Sequence, residues 1–378
     1  MADRDYVTVR RIDAAPLFSG SGPLLHSLDV ELTERCNNDC LHCNINLPAG
    51  DEQARGAELT THQWKDVLRQ AADLGALSVR FTGGEPLLRA DFAELYLFAR
   101  RLGMKVLLFT NARLITPEIA DLFAEVPPLE KIEVTVYGMA ADSYDANARE
   151  PGAFEEAFRG IDLLLEKKVP FLVKSVLLPP NRDEFEEFEA WAATIPGMED
   201  EPGYSVFLDL RGRRDSAVAN RRIESLRMSP EDGVRLLARR GDRYRKDMAE
   251  FAGQFMGPPG DRLFACGAGH SGCVDAYGRY QMCLLLRHPD TVYDLVAPAG
   301  GAGGAATAGA ATAGAAAAPG PRIAEGALRT ALTEVFPRLR ELRATDPEYL
   351  RRCARCFLKG LCEHCPAKSW SEHGTLDT

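Results

Sequence analysis

The sequence predicts an α/β protein built on parallel strands, with a smaller cysteine-rich region behind it. Two observations carry that reading. From Leu28 to about Leu210, strand-like and helix-like segments alternate six times, which implies parallel strands joined by right-handed crossovers. Seven of the ten cysteines then fall between residues 266 and 365, a much higher density than before. Six such units allow either an open doubly wound sheet or a barrel. In both, functional groups gather at the carboxyl ends of the strands.

LDVELT (28–33) alternates apolar and polar residues, as a strand with two different faces must. A helix follows in which Trp64, Val67, Leu68, Ala71 and Leu74 recur at helical spacing; Thr60 or Thr61 caps its start and Gly75 ends it. SVRFT (78–82) is the second strand, and the next helix runs from Asp91 to Gly103. KVLLFT (105–110) is the third, after which Thr116-Pro117-Glu118 sets a capping residue before a proline at the first helical position. IEVTVY (132–137), a helix over about 154–168, FLVKSVLL (171–178), a helix capped by Asn181 and YSVFLDL (204–210) complete the series. A mostly helical stretch follows over about 228–256. Unusual short sequences sit after four of the strands: RCNNDCLHC (35–43), GGEP (83–86), TN (110–111) and YG (137–138).

At 378 residues and 46% hydrophobic content, the chain has room for one large domain and a smaller one. A formal net charge of −10 argues against a nucleic-acid surface. Arginines do crowd together between Arg211 and Lys246, either as a solvated helical face or as a dock for an acidic partner. No stretch approaches the roughly 18 apolar residues of a membrane span, and MADRDYVTVRR puts charges where a signal peptide needs an apolar core. The expected compartment is therefore cytoplasmic, where cysteines serve as metal ligands more often than as disulfides. The Ala/Gly-rich stretch 297–321 has no side chain large enough to pack and reads as a disordered insertion or tether.

Cys36, Cys40 and Cys43 place three thiols in one short loop with C-x3-C-x2-C spacing. A structural zinc needs a fourth ligand, for which His42 is the local candidate, poorly placed between Cys40 and Cys43. An iron–sulfur cube is held by three thiolates with one iron left open. Spacing alone leaves both readings standing.

RCNNDCLHC followed forty residues later by TGGEP resembles the radical S-adenosylmethionine (radical SAM) superfamily, whose signature is C-x3-C-x-φ-C; His42 stands at φ. The resemblance implies a partial (β/α)6 TIM-like barrel and a [4Fe–4S] cluster on Cys36, Cys40 and Cys43. It also implies S-adenosylmethionine chelated to the fourth iron. Gly83, Gly84, Glu85 and Pro86 would meet the methionine ammonium, the glycines by close backbone approach and the glutamate by accepting from it. By the same resemblance Thr135 and Asn111 lie near the cofactor, Tyr137 stands where many members have aspartate, and Arg149 reaches the cofactor carboxylate.

The later cysteines resemble the SPASM extension of that superfamily, which carries auxiliary clusters. Cys266, Gly278 and Cys283 read C-x11-G-x4-C with Cys273 between, and Cys353, Cys356, Cys362 and Cys365 read C-x2-C-x5-C-x2-C. The family spacing ends in x3 and adds a further cysteine, so this chain departs from it twice. By analogy, Cys266, Cys273, Cys283 and Cys365 hold a first auxiliary [4Fe–4S] cluster and Cys353, Cys356 and Cys362 a second. A zinc ribbon from the last four is the structural alternative. One or two auxiliary clusters are expected, with His364, His373 or a tail carboxylate as candidates for the eighth ligand. The implied layout is an N-terminal extension (1–27), a radical SAM core (28–215), a helical bridge (216–260) and a SPASM domain (261–370).

The resemblance further implies reduction by a flavodoxin or ferredoxin, cleavage of S-adenosylmethionine to a 5′-deoxyadenosyl radical, and hydrogen abstraction from a ribosomally made peptide or protein. The product would be oxidised or crosslinked. Leu284 directly follows Cys283, where sulfatase-maturing relatives have an aspartate, so formylglycine formation is not expected. The space before Leu28 is too short for a winged-helix recognition domain, so a separate recognition protein or leader-independent binding is expected. The alternative substrate is a small molecule such as an aminoglycoside or tetrapyrrole, and the third reading is a non-enzymatic metal or redox-sensing protein.

Overall fold

The computed structural model describes residues 24–255, 260–264, 266, 268–269, 271–297, 322–356 and 364–378. The extension before residue 24, the Ala/Gly-rich insertion from 298 onward and Cys362 lie outside the described residues.

Six parallel strands form the core sheet in chain order: β1 (Ser27–Thr33), β2 (Ser78–Gly83), β3 (Lys105–Thr110), β4 (Leu129–Val136), β5 (Leu172–Val176) and β6 (Gly203–Ser205). Alternation decides which side chains face where. Leu28, Val30 and Leu32 of β1 are fully buried with Trp64, Val67, Leu68 and Ala71 of the first long helix, α1 (Thr61–Asp73). That helix begins on a capping box: Gln63 N–H donates to Thr60 Oγ1 (3.3 Å), and Gln63 Oε1 accepts from Thr60 N–H (2.8 Å). The other face of the strands carries Asp29, Glu31, Arg80, Phe109, Glu133, Thr135 and Lys174 at alternating positions.

The remaining crossovers are α2 (Phe92–Arg101), α3 (Pro117–Glu125), α4 (Ala141–Ala148), α5 (Ala153–Glu166) and α6 (Phe185–Ala192). Thr116 caps α3 as expected, accepting from Ile119 N–H. Asp91 makes no capping bond. Its carboxylate takes Thr61 Oγ1 (2.6 Å) and the Arg89 guanidinium (2.8 Å) instead, tying α1 to α2. Asn181 is not the cap of α6 either. Its Oδ1 accepts from Leu178 N–H (2.8 Å) while its Nδ2 donates to Tyr137 O (2.9 Å) and Val176 O (3.0 Å). It clamps the ends of β4 and β5.

The sixth strand is shorter than expected, ending at Ser205 rather than Leu210. Beyond it the Leu208 carbonyl accepts from Arg227 Nε (3.0 Å) and Nη2 (2.7 Å), so a side chain from α7 (Ala217–Leu226 and its C-terminal flank) replaces the ladder. The cysteine-rich region adds three strands to the β1 edge: β7 (Gly272–Val274) parallel to β1, then β8 (Arg279–Gln281) and β9 (Tyr293–Asp294) antiparallel. One nine-stranded sheet therefore runs through both regions. Nothing in the sequence pattern announced that continuity.

The arginine-rich stretch is largely paired within the chain. Arg211 binds Asp215 (2.6 Å), Arg240 binds Glu201 (3.0 Å) and Arg243 binds Asp200 (2.6 Å). That favours the helical-surface reading over the dock. Among the described residues, no helix is long and apolar enough to cross a membrane.

Asn181→Ala strands the buried Leu178 N–H and removes one donor each from Tyr137 O and Val176 O, the former keeping its bond from Asn147 Nδ2 (2.7 Å). At about 1–3 kcal/mol for a buried group left unsatisfied, the expected loss falls in that range, read as a lowered urea midpoint with unchanged slope.

Candidate functional site

The loop after β1 is fixed by its backbone. Asp39 N–H donates to Ala148 O and Leu41 N–H to Asn147 O (both 3.0 Å), so the end of α4 carries the loop's middle. Arg113 donates to Asn37 O and Asn38 Oδ1, and Arg222 Nε donates to Leu41 O (3.1 Å). With that scaffold the sulfurs of Cys36, Cys40 and Cys43 line one cavity of about 210 Å³ at the carboxyl ends of the strands. Burial raises all three thiols, with their mutual charge adding to it at Cys36 and Cys40; Cys40 is pushed up to about 12. Among the described residues, no three His, Cys, Asp or Glu side chains are placed to hold a single metal ion. The sulfurs line a volume instead. Soft thiolate donors spread round such a volume fit an iron–sulfur cluster.

His42, Gly83, Gly84, Asn111 and Thr135 line the same cavity. His42 packs against Tyr137 at 5.8 Å between ring centroids, and burial lowers its pKa to about 4, leaving the imidazole neutral. The glycines serve a nearer partner than expected. A Cβ on Gly83 would lie 2.1 Å from Thr33 O, and one on Gly84 2.2 Å from Arg35 O. Gly83 also has φ +128°, a region that side chains avoid. Gly84 N–H donates to Thr33 O (2.7 Å) and Glu85 N–H to Arg35 O (3.0 Å). The two glycines let β2's exit run flush against the chain leading into Cys36.

Three of the expected residues lie off the described cavity wall. Glu85 is fully buried and is not part of the cavity wall. Its carboxylate accepts from Thr110 Oγ1 (2.9 Å), Asn111 N–H (2.8 Å) and Leu87 N–H (3.1 Å), so it is spent on protein donors. Burial pushes its pKa up to about 7 despite them. Pro86 begins a short 3-10 turn behind it, Pro86–Leu88, away from the wall. Arg149 ends α4 in a left-handed conformation and pairs with Asp39 (3.2 Å) on the half-exposed outside of the loop.

Other residues of the cavity were missed by sequence reasoning. Glu31, Phe109 and Lys174 line it, as do Leu284 and Leu285 from the cysteine-rich region. Lys174 Nζ lies 3.0 Å from Glu133 and 3.4 Å from the centroid of Phe109, and its burial lowers its pKa. Glu31 is paired with Arg287, which also approaches Asp275 (3.9 Å). Arg213 joins Asp275 (2.9 Å) to Glu34 (2.5 Å), and Tyr277 donates to Glu34 (3.0 Å). Charged residues at alternating positions in strands buried on both faces were the available signal.

Cys273 sits on β7 beside Asp29 of β1, fully buried, with its thiol raised by burial and by the charges of Glu31, Asp29 and Asp275. Cys283 lies within electrostatic reach of Cys365 and Cys266. Cys353, Cys356 and Cys365 line a second cavity of about 350 Å³ together with His364, Glu372 and His373.

Residues 30–192 match the model of the Radical SAM superfamily. The chain is 32% identical to an AdoMet-dependent heme synthase of Methanosarcina barkeri over 55% of each protein. It is 30% identical to the mycofactocin maturase MftC of Mycolicibacterium smegmatis, over 69% of this chain and 64% of that one. It is 39% identical to a PqqA peptide cyclase of Streptomyces rochei over 41% of each. The chain thus spans about half the length of the curated relatives it matches. The fold is shared with the crystal structure of anSMEcpe with bound AdoMet, at a TM-score of 0.58 and 15% identity over 93% of this chain and 88% of that one.

Two substitutions probe this geometry. Gly84→Ala forces the backbone contact apart and is expected to cost about 1–3 kcal/mol, read by thermal melting, and to lower iron uptake on reconstitution. Cys283→Ala is expected to lose about four irons per chain relative to the parent protein, the complement of one cube.

Proposed function

We propose that this chain, whose residues 30–192 match the Radical SAM superfamily model, abstracts a hydrogen atom from a ribosomally synthesised peptide, leaving an oxidised or crosslinked product. The observation that carries the cofactor reading is the set of three thiols, Cys36, Cys40 and Cys43, on one cavity at the strand ends. When bound there, a [4Fe–4S] cluster and S-adenosylmethionine supply a 5′-deoxyadenosyl radical, with the reducing electron taken from a flavodoxin or ferredoxin.

The chain's own residues do the rest. Leu284 and Leu285 close the cavity with apolar surface and keep water from a reactive centre. Thr135 and Lys174 stand side by side in register on β4 and β5 and present a hydroxyl and a cation to a bound molecule. Gly83 and Gly84 expose backbone at the rim. Cys266, Cys273, Cys283 and Cys365 are the proposed holders of one auxiliary cluster. Cys353 and Cys356, with Cys362 by spacing, are proposed for another.

The peptide reading is supported by the similarity to a PqqA peptide cyclase and by the longer match to a maturase. The similarity to AdoMet-dependent heme synthases favours a second reading, a tetrapyrrole substrate. The deciding experiment is anaerobic. Reconstituted protein, reduced with dithionite and given S-adenosylmethionine, is expected to release 5′-deoxyadenosine, faster with candidate peptides from neighbouring genes than with porphyrins. Faster release with porphyrins replaces the peptide reading. No release under any condition removes the enzymatic proposal.

A further inference from the structure

The end of β3 is wired to the cysteine loop more tightly than any cofactor-contact role requires. Asn111 is buried, and its backbone N–H, its Oδ1 and its Nδ2 are all engaged. Its backbone N–H donates to Glu85 Oε2 (2.8 Å), and its Oδ1 accepts from Arg113 N–H (3.0 Å). Its Nδ2 donates to Asn37 Oδ1 (2.8 Å) and reaches Cys36 Sγ at 3.8 Å. The bond from Arg113 settles which side of the amide carries nitrogen, so the N–H side must face the sulfur. The turn that brings Arg113 back is sharp, with Ala112 held at φ +63° and fully buried. Glu85 fixes the same corner twice, through Thr110 Oγ1 (2.9 Å) and Asn111 N–H.

We propose that Glu85 and Asn111 form one device acting on the Cys36 sulfur. Asn111 donates an N–H···S hydrogen bond that raises the reduction potential of the cluster held there, and Glu85 is the positioning residue that aims it. The inference rests on the reading that Cys36, Cys40 and Cys43 hold that cluster. The physical reason is electrostatic. Reduction adds negative charge to the cluster and its sulfurs, and a donor aimed at a sulfur stabilises the more negative state. Removing the donor therefore lowers the potential. Glu85 does this without touching the cavity, which explains why a glutamate in GGEP is buried against protein donors.

The test is a redox titration of the cluster by electron paramagnetic resonance in the absence of S-adenosylmethionine, in the full chain. Asn111→Ala is expected to retain its iron and to shift the reduction equilibrium about tenfold towards the oxidised form, about 59 mV for one electron. Glu85→Ala is expected to shift it in the same direction, and the double variant to shift it no further than Asn111→Ala alone. An unmoved potential in iron-loaded Asn111→Ala overturns the proposal, as do additive shifts. So does a Glu85→Ala variant that keeps its potential and loses S-adenosylmethionine binding, because Glu85 would then meet the cofactor directly. If C36A/C40A/C43A retains all the iron of the parent, the underlying cluster reading fails instead. Should Glu85→Ala not fold, Asn111→Ala decides alone.

Discussion

Everything at the candidate site depends on how closely two backbones approach just beyond the sheet. The exit of β2 runs against the exit of β1, with Gly84 N–H donating to Thr33 O (2.7 Å) and Glu85 N–H to Arg35 O (3.0 Å). Those two bonds prolong the parallel pairing past the strands' formal ends. They also leave no room for a Cβ at either glycine. Cys36 therefore starts from a backbone position set by main-chain bonds rather than by side-chain packing. Glu85, carried one residue further, is pressed into the corner beneath β3. From there the order passes through Thr110 and Asn111 back to the loop that bears the thiols.

The cysteine-rich region is bound to this frame by charge as well as by the sheet. Arg287 and Arg213 enter from outside the barrel and meet Glu31, Glu34 and Asp275, all nearly without solvent. Burial raises the Glu31 carboxyl, and raises Glu34 to about 7, even with arginines beside them. Such pairs add little net stability, because desolvation offsets most of the attraction. Breaking one leaves a buried charge uncompensated, which is costly. The network thus acts as a registry device that sets β7 and the Leu284–Leu285 roof over one part of the barrel. That roof completes the cavity. A change at Arg287 would be felt at the site although Arg287 is not on its wall.

Much of this was legible in the sequence, for reasons that can be named. Strand periodicity placed β1 to β5, because parallel strands covered by helices show uninterrupted apolar alternation. Cysteine spacing placed three thiols in one loop, because a short loop cannot separate them. What was lost depends on pairings across the chain. Asn181 and Asp91 look like caps locally, yet each found a stronger bond to a neighbouring element. The GGEP glutamate reads in one dimension only as a ligand contact; the fold adds its bonds to Thr110 and Asn111. Lys174 and Glu133 form a pair that no local pattern announces.

The thiols bear on how the site comes into being. Burial raises all three, so without metal the loop keeps its protons, and three thiolates in so small a space would repel one another. On the proposed cluster reading, iron would displace those protons and set positive charge beside the sulfurs. The surrounding cations do not compete for that role. Arg113 is committed to Asn37, Asn38 and Glu156, Arg222 to a carbonyl, and Lys174 to Glu133. Arg113 and Arg222 hold the loop's backbone in place.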